Sequence, residues 1–229
     1  MARLRVGVLI SGRGSNLQAL IDAASDPTYP AEIVLVVSDR PEAAGLERAA
    51  RAGIAHRAIP HPSRAEFAAA ADAALRQSGA ELVALAGYMR ILDTGFVEAW
   101  RDRLVNIHPS LLPVFPGLHP QRQALAAGVR FSGCTVHFVR AEVDTGPIIA
   151  QAAVPVHPGD DEERLAARIL AAEHRLYPLA VRLYAEGRLH IGGNTVRVTG
   201  AAAPEIAVLN PPEALASDGG SAIPRAIGS

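Results

Sequence analysis

The chain opens on an unbroken apolar run. Residues 4–10 (LRVGVLI) have the make-up of a strand buried on both faces. The polar, glycine-containing segment 11–16 (SGRGSN) ends it. Leu17, Leu20, Ile21 and Ala24 then recur at helical spacing until Asp26-Pro27 stops the helix. The alternation repeats along the next ninety or so residues. Residues 32–38 (EIVLVVS) predict a second strand, 42–52 a helix closed by Gly53, and 55–59 a short strand. Residues 64–77 predict a helix with Phe67, Ala71 and Leu75 on one face, ended by Ser78-Gly79. Further strands are expected at 81–87 and 103–107. Strands alternating with helices predict an α/β protein with a mostly parallel twisted sheet flanked by helices.

The rhythm breaks after His108. Pro109, Pro113, Pro116 and Pro120 punctuate the next dozen positions, and no regular element survives prolines at that density. An ordered loop wrapped around something is expected there. A short helix at 122–127 follows, then strands at 135–139 and 147–156 joined by the segment RAEVDTG. Residues 160–186 predict one long helix with Leu165, Ile169, Leu176, Leu179 and Leu183 as its apolar stripe. From about Gly200 the chain turns to Ala, Pro, Gly and Ser without periodicity. A single domain over 1–199 and a variable, poorly ordered tail over 200–229 are therefore expected.

Composition narrows the chemistry. At 229 residues, 49% hydrophobic and 20% charged, the chain suits one globular domain, and its apolar runs are too short to span a membrane. The basic pair and apolar run at the start read as a first strand and not as a signal peptide, so the cytoplasm is the expected location. A net charge of −1 without a long basic run disfavours bulk nucleic-acid binding. The single cysteine, Cys134, excludes an intrachain disulfide and a cysteine-based zinc cluster, and its apolar setting reads as a buried structural thiol. All 22 basic residues are arginine. Without lysine there is no Schiff base, no pyridoxal-phosphate anchor and no Walker-type phosphate loop.

Four segments carry candidate chemistry. Gly12, Arg13, Gly14, Ser15 and Asn16 lie between a strand and a helix, where exposed backbone N–H groups favour an anion. The alternatives are a phosphate site and an ordinary tight turn capped by Ser15. A nicotinamide site is weakly supported: Leu17 replaces the third glycine of G-x-G-x-x-G, and Asp39 either meets a ribose or opens the turn Asp39-Arg40-Pro41. Asn106 and His108, two apart in a strand, project together at its end, where open α/β sheets place ligands. Side by side they suit a developing oxyanion; the plainer alternative is a strand-end Asn in a turn and a half-buried His. Asp144 in DTGP reads, alone, as a common turn. Arg90 either lines a pocket or extends to solvent. His56, His61, His119, His157 and His190 show no metal-ligand spacing, and His137 reads as a support for the site. No metal is expected.

The motifs GRGSNLQALID, LAGYMRIL, VNIHPSLLP, PGLHPQRQAL, TVHFV, VDTGPII and AEHRLYP, in that order between about residues 3 and 190, resemble the folate-dependent formyltransferases. The form G-x-G-S-N-L resembles the branch acting on glycinamide ribonucleotide. The resemblance implies a Rossmann-like mononucleotide-binding N-terminal half, and a C-terminal half with longer strands and one long helix. It implies that residues 12–16 cradle the ribonucleotide phosphate and that Glu173 contacts its ribose. Met89, Arg90, Ile91 and Leu92, with Arg140, Ala141, Glu142, Val143 and Asp144, would hold the pteridine of 10-formyltetrahydrofolate, the co-substrate. Arg64 would face its benzoylglutamate end. Asn106 and His108 would stabilise the tetrahedral oxyanion, with Asp144 holding His108. Both substrates are small molecules, and the implied state is a monomer or homodimer. Arg13 fills a variable position of the motif, residues 119–121 depart from it, and AEHR differs at its edges.

Relatives divide by what surrounds this core. A methionyl-tRNA formyltransferase is expected to add a sizeable RNA-binding domain, where only a short neutral tail follows here. A formyltetrahydrofolate deformylase is expected to carry a regulatory domain first, whereas here the first strand begins near residue 4. A non-catalytic nucleotide-binding module accounts for the glycine loop but not for Asn106, His108 and Asp144 together.

Overall fold

The computed structural model describes residues 2–60, 63–202, 205 and 207–211. His61 and most of the expected tail lie outside the described residues. The N-terminal half alternates as the pattern predicts: β1 (Leu4–Ile10), α1 (Ser15–Ser25), β2 (Ala31–Ser38), α2 (Ala44–Arg51), β3 (His56–Ala58), α3 (Arg64–Gln77) and β4 (Leu82–Leu85). Then come α4 (Thr94–Ala99), β5 (Leu104–His108), α5 (Pro120–Ala126), β6 (Phe131–Phe138), β7 (Ile148–Pro155) and α6 (Glu162–Ala185). A hairpin of β8 (Leu189–Gly192) and β9 (Thr195–Val198) closes the described fold and lies against β7.

Seven strands form one sheet in the order β3-β2-β1-β4-β5-β6-β7. The first five are parallel, and β6 and β7 run antiparallel. Period-two alternation divides the core. Val6, Val8 and Ile10 face a cluster with Leu17, Leu20, Ile169 and Tyr177, while Leu9 faces a second cluster with Phe67, Leu75, Trp100 and Leu104. Helices cover both faces, which is why the central strands are apolar throughout. The chain runs outward from β1 to β3 and returns beside β1 as β4. That reversal opens a crevice at the carboxyl ends of β1 and β4.

Three details differ from the pattern. Leu179 does not belong to the buried stripe of α6; it is 46% exposed. The stripe runs through Leu165, Ile169, Glu173, Leu176, Ala180 and Leu183, at steps of three and four, and position 179 falls off it. Pro120 is not a loop residue but the first residue of α5, where its missing N–H costs nothing. Strand β6 begins four residues earlier than expected, at Phe131.

Helix α6 is fastened to the sheet by a hydroxyl. Tyr177 is fully buried, and its O–H lies 3.0 Å from the carbonyl of Leu85 and 3.3 Å from that of Val105. One donor thus bridges the end of β4 and the start of β5. Tyr177→Phe removes it and leaves buried carbonyls short of a donor, at a cost of about 1–2 kcal/mol. Urea unfolding of the variant should show that loss at unchanged slope; equal stability would mean the hydroxyl does not tie the two strands.

Candidate active site

The first part of the crevice is the turn after β1. Ser11 N donates to Gly87 O (3.2 Å), and its hydroxyl accepts from Met89 N (2.9 Å), so this turn and the segment after β4 are stitched together. Gly14 caps α1 in the left-handed conformation (φ 69°), and no side chain caps the helix. Ser15 is therefore the first helical residue and not its cap. The first-turn N–H groups stay open, and no acidic residue stands in that turn, which suits an anion. Gly14 is required by packing, because a Cβ there would lie 2.7 Å from the Cα of Gly45 in α2. The face of Gly12 is open: a Cβ there meets nothing within 4 Å.

Behind this turn, Asn16 Nδ2 donates to Glu173 Oε2 (2.8 Å). Both side chains are buried, and Asn16 Oδ1 has no partner among the described residues. Burial pushes the Glu173 carboxyl above its ordinary value, against the Asn16 hydrogen bond.

The second part lies at the end of β5. Asn106 pairs with His137 across the antiparallel β5–β6 ladder, and His108 with Thr135, so four polar residues share one face. Asn106 Nδ2 is 3.2 Å from His137 Nε2, and His137 Nδ1 is 3.0 Å from Phe138 O. A proton on Nδ1 of a neutral ring leaves Nε2 to accept from the Asn106 amide, which orients that amide. His108 sits between two acceptors: Nε2 is 3.0 Å from Phe115 O, and Nδ1 is 3.3 Å from Asp144 Oδ2. Both are satisfied only with a proton on each nitrogen.

Asp144 gathers these groups. It stands at φ 56° in the β6–β7 connection, accepts from Gly117 N (2.9 Å), and lies 3.7 Å from His137 Nε2. Burial pushes its pKa up, but the His137 ring, the Gly117 N–H and the charge of His108 outweigh that and hold it below the ordinary value. Gly146 makes the connection possible, since a Cβ there would fall 1.6 Å from Phe138 O. Thr135 pins the proline-rich loop: its hydroxyl donates to Ser110 O (2.7 Å) and accepts from Leu112 N (3.0 Å).

The third part is the rim. Met89, Arg90 and Ile91 are exposed between β4 and α4, while Leu92 is buried. Arg90 Nε lies 3.0 Å from Oδ2 of Asp39, whose carboxylate is buried at the end of β2. Arg64, in the first turn of α3, is exposed. Arg140 is committed to Asp102 (2.6 Å) and Val139 O (3.0 Å), which leaves the backbone of 140–144 as the part free to meet a ligand. Ala141, Glu142 and Val143 are exposed.

The fold thus joins Asn106, His108 and Asp144 into one network, and Asn16 with Glu173 into another; Arg64 joins neither. The backbone partners Phe115 and Gly117 were missed by the sequence reading. So was Thr135, although Thr135-x-His137 repeats the spacing of Asn106-x-His108. His56, His119, His157 and His190 are exposed.

The formyl transferase family model matches residues 4–181. The chain is 44% identical over 200 residues to phosphoribosylglycinamide formyltransferase of Escherichia coli (strain K12), covering 86% of this chain and 94% of that protein. It is 57% identical over 192 residues to trifunctional purine biosynthetic protein adenosine-3 of Drosophila pseudoobscura pseudoobscura; the match covers 82% of this chain and spans 14% of that protein's length. Among solved structures, glycinamide ribonucleotide transformylase 1 from Symbiobacterium toebii superposes with a TM-score of 0.83 at 55% identity, covering 86% of this chain and 94% of that one.

Because the Asp144 carboxyl is held below its ordinary 3.8 in the folded protein, its ionisation contributes stability at neutral pH. That contribution is fully present above the unfolded value and is lost as pH falls through the folded one. Asp144→Asn should be less stable at pH 7, and the gap to wild type should close as urea unfolding is repeated below about pH 4. A gap independent of pH would mean the charge of Asp144 is not what holds the loops.

Proposed function

The chain belongs to the formyl transferase family, and on that premise we propose that it transfers the formyl group of 10-formyltetrahydrofolate to the amine of glycinamide ribonucleotide, a step of purine biosynthesis. The observation that carries this reading is the Asn106–His108–Asp144 network standing in the same crevice as an open, uncapped glycine turn. One end offers donors to a developing oxyanion, and the other offers backbone N–H groups to a phosphate. The unpartnered Asn16 Oδ1 beside Glu173 suits a ligand hydroxyl, as a ribose carries. The exposed rim of Met89, Arg90 and Ile91, with the backbone of 140–144, suits the flat pteridine, and Arg64 its acidic end. A single catalytic domain over 1–199 is part of the same proposal.

In this mechanism the neutral amine attacks the formyl carbon, and the carbonyl oxygen becomes an oxyanion. Asn106 Nδ2 donates to it. His108, held by Asp144, exchanges Phe115 O for the oxyanion. The tetrahedral intermediate collapses with rupture of the bond to the folate nitrogen. The attacking amine has lost a proton and the departing nitrogen gains one, so the products are the formylated amine and tetrahydrofolate. Positioning and oxyanion stabilisation supply the catalysis, with no covalent enzyme intermediate.

Tetrahydrofolate release from 10-formyltetrahydrofolate should require glycinamide ribonucleotide. Equal release into water alone would make the protein a hydrolase. Asn106→Ala and His108→Ala should each lower kcat by about 10²–10³-fold, with modest changes in KM. Losses of only a few-fold in both would move the reacting centre elsewhere.

A further inference from the structure

The turn that faces the phosphate is held from behind by α2. Gly45 N donates to Gly12 O (3.0 Å). Arg48, one turn into the same helix, donates through Nε to Arg13 O (2.9 Å) and through Nη1 to Gln18 Oε1 (3.1 Å). Gln18 is itself oriented, since its Nε2 donates to Asp22 Oδ1 (2.8 Å). Two consecutive peptide carbonyls, those of Gly12 and Arg13, are thus turned toward α2. In a trans peptide the N–H points opposite to the C=O. The N–H groups of Arg13 and Gly14 therefore face away from α2, on the outer side of the turn. The second of these orientations depends on a side chain that is half-buried and charged.

We propose that Arg48 is a positioning residue for the phosphate of the amine substrate: it fixes the 13–14 peptide with its N–H outward and places a positive charge behind the turn. This rests on the reading of residues 12–16 as the phosphate cradle. The charge also reaches the neighbour of Glu173. Burial and Arg48 together hold the His174 imidazole below its ordinary pKa, against the opposing charge of Asp22. Lysine is a poor substitute, because a single ammonium lacks the rigid fork that engages Arg13 O and Gln18 Oε1 together.

The test is steady-state kinetics of Arg48→Ala and Arg48→Lys with both substrates varied. Arg48→Ala should raise KM for glycinamide ribonucleotide roughly tenfold or more, the scale of a charge-assisted hydrogen bond. Its kcat and its KM for 10-formyltetrahydrofolate should stay within about twofold of wild type, and Arg48→Lys should fall between. A ribonucleotide KM unchanged in the active alanine variant would overturn the proposal. So would both KM values and kcat moving together, as a general loss of structure produces. Wild-type enzyme that does not turn over the ribonucleotide would refute the functional reading instead. Calorimetry with inorganic phosphate then decides on Arg48: tighter binding by wild type than by Arg48→Ala upholds it, and equal or absent binding by both ends it.

Discussion

A carboxylate taken out of water is tolerated only where donors and cations replace the water it lost. Asp144 is such a group, and much of the site follows from how it is satisfied. Its donors come from two places, His108 at the end of β5 and the backbone of Gly117 in the proline-rich loop, and the His137 ring on β6 lies 3.7 Å away. Those segments meet only if the loop over 109–119 folds back onto the sheet and the β6–β7 connection turns sharply enough to aim the carboxylate inward. The left-handed conformation at Asp144 and the bare Cα of Gly146 provide that turn. The charge thereby couples two loops that share no regular structure.

The alternating half of the fold was legible because each central strand is an apolar run bounded by turn residues. What escaped was short or half-exposed. Helix α4 has six residues, too few to establish a period. The β8–β9 hairpin did leave a trace, with Leu189-x-Ile191 and Val196-x-Val198 flanking Gly193-Asn194, but its strands have four residues each. In the site, Asn106 and His108 could be read from strand periodicity alone. Asp144 could not, because DTGP describes a turn as well as a functional group, and its role came from the resemblance. Phe115 O and Gly117 N lie beyond any reading of side chains, since a backbone atom is common to every residue. Arg48 was invisible for another reason: on an amphipathic helix an arginine reads as surface, and only the tertiary approach of α2 to the glycine turn shows what it touches.

The two glycines at that approach explain its closeness. Gly14 and Gly45 bring a turn and a helix to backbone distance, near enough for Gly45 N to reach Gly12 O. The open face of the turn is thereby built from main chain, with side chains behind it. At the other end of the crevice the reverse holds: side chains of β5 and β6 line it, and main-chain atoms of the loops hold them.

The hydrogen bond between Asn16 and Glu173 joins residues 157 positions apart. A chain made from its N-terminus completes the glycine turn well before the long helix. Until α6 emerges Asn16 therefore lacks its partner, and the apolar face of β1, which α6 covers, is bare. That helix, the last among the described residues, both seals the face and brings Glu173 to Asn16. The Asn16–Glu173 hydrogen bond and burial of that face of the sheet accordingly arrive in one event, and a nascent chain stalled before α6 has neither.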